Sequence, residues 1–175
     1  CCAVARLFVG PSYASSTRSP RPSRSRRLST ASMAARFSAT KSVEAVLRSV
    51  VGEQTRSRMA GVWAGDIVPA KKPAPDIYLL TLRELGRGPD EAVVVEDSES
   101  GALAAANAGL RHVVTVSSFT GDDPFPAAAV VVSDLGEPGA PAQLRAGLGV
   151  RDDGVVDVAA LTELLEKVPA PGGPG

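Results

Sequence analysis

The sequence predicts an α/β fold on a mainly parallel sheet, and three observations carry that prediction. The compact β-branched run at 92–95 reads as a strand buried on both faces, and 129–132 is a further apolar run. Stretches of helical periodicity, each with start and stop residues, alternate with them. The chain has 175 residues, 44% of them hydrophobic, enough for one packed domain and hardly for two.

The first 36 residues hold seven Arg and no acid, and 12–36 is dominated by Ser, Arg, Pro and Ala without periodic apolar positions. Such a stretch buries too little surface to offset the entropy of ordering, so 1–36 is expected to be a disordered leader. Its composition fits an organelle transit peptide, with a cytoplasmic location otherwise. An untranslated or mis-spliced stretch and a short arm for RNA or phosphoprotein are the alternatives. The chain opens on Cys1 and its first Met is Met33, which reads as a fragment or an imperfectly joined leader.

From residue 37 the pattern is regular. Val43, Val46, Leu47 and Val50 fall at i, i+3, i+4 and i+7, one apolar face of a helix expected to end near Gly52. The run 61–64 reads as a strand leading into a loop over 65–73. A helix then begins at Pro75 or Asp76 and runs to Leu85, with Gly86 as its stop. After the strand at 92–95 come a helix over 100–108 stopped by Gly109, a strand over 112–116 and the run at 129–132. Leu161, Leu164, Leu165 and Val168 mark a last helix closed by Pro169, and 169–175 is expected to be a disordered tail. The core is thus placed at 37–168.

Charge and cysteine content exclude several classes. Nineteen basic residues balance nineteen acidic ones, and beyond the leader 12 basic face 19 acidic, a net of −7. Whole-chain charge therefore gives no case for nucleic acid or a membrane surface. No apolar run approaches the ~18 residues of a membrane helix. Cys1 and Cys2, both terminal, supply neither a disulfide framework nor a cysteine zinc site.

In parallel sheets ligands bind beyond the carboxyl ends of the strands, and that rule selects three junctions. Glu96-Asp97-Ser98 puts two adjacent carboxylates at a helix entrance. They repel each other unless a hard cation such as Mg²⁺ lies between them, whereas the plain alternative is an N-cap beside a solvated glutamate. Lys71-Lys72-Pro73-Ala74-Pro75-Asp76 holds a lysine at a proline-stiffened helix start, suited to a phosphate; a solvated lysine pair is the alternative. Ser38-Ala39-Thr40-Lys41 is expected to be a hydroxyl-rich loop that could cradle a phosphate, or else a simple cap. His112, the single histidine, is expected at an edge or on the surface, and Trp63 and Tyr78 as packing residues.

Together these junctions become recognisable. Ala64-Gly65-Asp66, the segment from Lys71 through Ile77-Tyr78, and Val93-Val94-Val95-Glu96-Asp97-Ser98 followed by Gly101, Ala104 to Ala106, Ala108 and Gly109 closely resemble the haloacid dehalogenase superfamily. The resemblance is to its β-phosphoglucomutase-like enzymes and, more closely, to the plastid CbbY-like sugar-bisphosphate phosphatases. Ser117-Ser118-Phe119-Thr120 and Asp134-Leu135-Gly136-Glu137-Pro138 look like the same branch. It covers about 37–138 and, more weakly, the chain to 168.

The resemblance implies a Rossmann-like parallel core and a Mg²⁺-dependent phosphatase whose substrate is a sugar phosphate or bisphosphate. It implies phosphoryl contacts from Ser38, with Thr40 and Lys41 nearby, and charge compensation by Lys72. It also implies Mg²⁺ ligation by Asp97, with Glu96 holding a bound water. The family's nucleophile, an Asp followed two positions later by a second Asp, has no counterpart, because no Asp-x-Asp occurs in the chain. The helical cap that selects substrate is also missing. The expectation is a truncated core without turnover of its own, since an aspartyl-phosphate needs the Asp. The alternative is a non-catalytic protein that uses the phosphate and metal half-site, or the Arg-rich leader, to bind partners.

Overall fold

A valine run without polar interruption is stable only where both faces of the strand are covered, and this requirement organises the molecule. The computed structural model describes residues 6–9, 30–118, 120, 123–149 and 151–171, and of 6–9, 30–40 and 66 the backbone alone. Five strands form one sheet in the order β1 (Arg6–Val9), β2 (Ala92–Glu96), β3 (Arg111–Thr115), β4 (Val130–Val132) and β5 (Leu144–Gly147). β2, β3 and β4 are parallel, whereas β1 and β5 run antiparallel on the two edges.

Helices cover both faces of the three parallel strands. On one side Ala92 and Val94 pack against Ile77, Tyr78 and Leu82 of α2 (Asp76–Leu85) and Ala104 and Ala105 of α3 (Glu99–Asn107). On the other, Val93, Val113, Val130 and Val132 meet Leu161 and Leu164 of α4 (Val158–Lys167). Each fully buried valine contributes about 1.5–3 kcal/mol relative to exposure. Arg111 ties this second face together, its guanidinium donating to the Val168 carbonyl at the end of α4.

The helix boundaries have local causes. α2 starts after Pro75 and stops at Gly86, whose φ of 62° puts it in the left-handed region while its N–H bonds back to Arg83 O. α3 is capped by Ser98, whose hydroxyl accepts from Gly101 N at 3.3 Å. The expected strand at 61–64 is irregular chain followed by a 3-10 turn, Gly65–Ile67. It has one β-branched residue, and among the described residues no strand pairs with it.

The N-terminal part departs most from expectation. The leader was expected to be disordered over 1–36, yet Arg6–Val9 forms β1, with Leu7 opposite Val94 and Phe8 opposite Val93. The other residues of 1–29 lie outside those described. α1 (Thr30–Ser57) begins well before residue 37 and includes Ser38-Ala39-Thr40-Lys41, which is therefore helix and not the expected loop. Its helical backbone is interrupted at Gly52 (φ 78°, ψ 161°), the position expected to end it. The predicted apolar face is only partly packed: Val43 is buried and Leu47 half-buried, but Val46 is 60% and Val50 75% exposed.

Candidate functional site

β2 delivers Glu96 and Asp97 to its carboxyl end, where α2 and α3 both begin nearby. The two neighbours behave differently because successive strand residues point to opposite sides. Glu96 turns onto the α2/α3 face with Ala92 and Val94 and is buried, whereas Asp97, the first residue past β2, is exposed.

The buried carboxylate is engaged through one oxygen. Its Oε1 accepts from the Lys72 ammonium at 2.5 Å, and also from the Tyr78 hydroxyl. Lys72 sits in the turn before α2 with its side chain only 14% exposed, and its Nζ lies 5.1 Å from the centre of the Tyr78 ring. Oε2 rests over Gly101, where an added Cβ would overlap the carboxylate, so the first turn of α3 has to be bare there. Burial first, and the Glu96 charge second, push the Tyr78 phenol far above its ordinary value. Tyr78 is therefore a permanent donor.

The structure thus brings Lys72, Glu96 and the adjacent Asp97 together. Lys41 is exposed on α1, and Ser38 and Thr40 are on the same helix with side chains outside those described. Tyr78 is the residue that sequence reasoning missed. The signal was available: a tyrosine in place of phenylalanine at a buried position needs a partner for its hydroxyl.

His112 also departs from expectation. β3 is a central strand, and His112, opposite Val94, is fully buried on the α2/α3 face. Nδ1 bonds the Leu110 carbonyl at 3.1 Å, and Nε2 has no partner among the described residues. Burial lowers its pKa, and the hydrogen bond to the Leu110 carbonyl and, less, the Glu96 charge oppose that only in part.

Mg²⁺ takes oxygen ligands, usually one or two carboxylates completed by water and phosphate oxygens. Asp97 offers a free carboxylate, but Glu96 already receives two donors on one oxygen. Among the described residues no three His, Cys, Asp or Glu side chains gather into a metal set. Asp97 therefore fits as one carboxylate ligand of a Mg²⁺ whose remaining positions would be filled by water and phosphate oxygens.

Comparison with known proteins agrees with this architecture. The haloacid dehalogenase-like hydrolase family matches residues 33–109. A CBBY-like protein of Arabidopsis thaliana is 42% identical over 98 residues, 56% of this chain and 30% of that protein. Protein CbbY of Cereibacter sphaeroides is 42% identical over 97 residues, 55% of this chain and 42% of its own length. The chain spans less than half the length of these relatives. A crystal structure of CbbY from Rhodobacter sphaeroides in complex with xylulose-(1,5)bisphosphate superposes with a TM-score of 0.51 at 42% identity, covering 55% of this chain and 43% of that one. Among the described residues no helix is long and apolar enough to cross a membrane.

Proposed function

We propose, for a chain whose residues 33–109 are haloacid dehalogenase-like hydrolase sequence of the CbbY-like branch, that it recognises the phosphate of a sugar phosphate or bisphosphate at the carboxyl end of β2. One observation carries this reading: the Lys72 ammonium is held against a buried carboxylate at the mouth of a parallel sheet, beside the exposed Asp97. An ammonium has three protons, and Glu96 takes one. The others are left for phosphate oxygens, whose charge a fixed cation in a partly buried site offsets far better than a solvated one.

Ser38, Thr40 and Lys41 are the further phosphate contacts in this reading. Asp97, as the free carboxylate, is the one able to add a ligand to a cation that arrives with phosphate. The 175 residues contain no Asp-x-Asp, so we expect binding without hydrolysis from the chain as it stands. Likeness to a protein crystallised with xylulose-(1,5)bisphosphate makes that compound the first ligand to try. The Arg- and Ser-rich, acid-free composition of 1–36 and the Arabidopsis relative support a plastid destination, to be checked by fusing 1–36 to a fluorescent reporter.

Calorimetry with xylulose-(1,5)bisphosphate tests the reading. Lys72→Ala should weaken binding about tenfold or more, as loss of a charge-assisted contact does. Phosphate release should stay at the blank rate. Equal affinity in wild type and Lys72→Ala removes the proposed role of Lys72, and brisk hydrolysis abolished by Asp97→Asn shows that a nucleophile is present.

A further inference from the structure

The donors around Glu96 are unevenly distributed. Oε1 accepts from both Lys72 and Tyr78, whereas Oε2 rests over the bare backbone of Gly101. Tyr78 is fully buried and reaches both members of the ion pair, its hydroxyl touching the anion and its ring face lying 5.1 Å from the cation. A phenylalanine would fill the same core space. The hydroxyl therefore adds nothing to packing, and without an acceptor it would cost free energy at this depth.

We propose that Tyr78 is a positioning residue, one that fixes the Glu96 carboxylate and, through it, aims the Lys72 ammonium at a bound phosphate. The proposal rests on the phosphate reading of Lys72 given above. The physical reason lies in the stiffness of the three side chains. Lysine is a point charge on a flexible four-carbon stem, and a glutamate carboxylate can also swing, so an isolated pair holds no single geometry. Tyrosine has two side-chain torsions, and burial on the α2/α3 face removes their freedom. Its hydroxyl anchors Oε1 from one side while Gly101 lets Oε2 settle against the first turn of α3. Lys72 then has one fixed acceptor to bond, and its remaining protons acquire a direction.

Lysine-selective ¹H–¹⁵N NMR on the full chain tests this through the exchange of ammonium protons with water. Lys71, exposed on the same turn, serves as the internal reference, and Lys72→Arg assigns the signal. Wild-type Lys72 should exchange more slowly than Lys71. Tyr78→Phe should speed Lys72 exchange by about three- to tenfold, the factor one lost hydrogen bond represents, with Lys71 unchanged. It should weaken binding of inorganic phosphate by a similar factor.

A Tyr78→Phe protein that melts lower but keeps the Lys72 to Lys71 ratio makes the hydroxyl merely structural and overturns the proposal. Wild-type Lys72 exchanging as fast as Lys71 also overturns it. Glu96→Gln keeps Tyr78 and must also accelerate Lys72; if it does not, the proposal fails even where Tyr78→Phe does not fold. Phosphate bound equally tightly by wild type and Tyr78→Phe overturns the proposal alone, whereas phosphate that leaves the wild-type Lys72 signal unmoved overturns the underlying phosphate reading.

Discussion

Helix α1 and the strand β2 with its two covering helices each carry apolar positions, yet they come to different ends in the structure. Val93 and Val94 are completely buried, whereas Val46 and Val50, at helical spacing on α1, are 60% and 75% exposed. α1 leans on the 65–67 turn, and its ion pairs are local, with Arg56 on Glu44 at 2.5 Å and Arg48 between Glu44 and Glu53. β2 is bonded to strands on both sides and covered on both faces. Periodicity reports what an element could bury, but burial needs a partner surface. The same difference separates the charges: the Lys72–Glu96 pair is buried and shared with an aromatic hydroxyl, whereas the pairs along α1 include solvated ones.

The sharpest way to break the comparison is to remove the anion at the end of β2. Glu96→Ala leaves the Lys72 cation and the Tyr78 hydroxyl without their acceptor, and should cost about 3–5 kcal/mol in urea denaturation at neutral pH. A loss no larger than that of a surface substitution would mean that the pair is hydrated and that the contrast with α1 is illusory.

A smaller effect belongs to His112, next to Glu96 on the same face of the sheet. Its folded pKa is lowered from 6.5, chiefly by burial, so below that value the unfolded chain binds more protons than the folded one. The neutral ring therefore contributes stability that is complete above 6.5 and is lost as pH falls through and below it. Melting temperature should drop on going from about pH 8 to about pH 5, and His112→Val should flatten that part of the drop. An identical pH slope in the variant would place the titrating group elsewhere.

The smallest effect is expected on α1. Val46→Ser and Val50→Ser should each change stability by less than about 0.5 kcal/mol, as substitutions at exposed positions do. Two separate melts would sharpen the comparison, and a loss as large as that from a truncated core valine would show that this face is covered in solution.

The legible parts of the molecule are those with a local cause. α2 announces itself through Pro75, Asp76 and Gly86, and α3 through Ser98 and Gly109, because caps are satisfied within a few residues of the helix end. β2 and β4 are legible because a strand covered on both faces is apolar along its length, whereas β3 shows only its Val113-Val114 pair. The junction after β2 was visible for the same reason, as two carboxylates follow directly on such a run.

By itself, then, the sequence determined the α/β class, the central strands, the helices that cover them and the placement of Lys72, Glu96 and Asp97 at one end of the sheet's neighbouring turns. Only the tertiary structure decided the edges, the partners and the depth of each group. β1 and β5 become strands by pairing with β2 and β4, and Leu144–Gly147 is four exposed residues without a β-branched one to mark it. His112 is interior because β3 has a neighbour on each side. Tyr78 meets Glu96 across 18 positions of chain because α2 lies on the face of β2 to which that carboxylate turns. Caps and apolar runs are written in neighbouring residues, whereas edges, burial and a buried hydrogen bond depend on surfaces that meet only when distant segments pack.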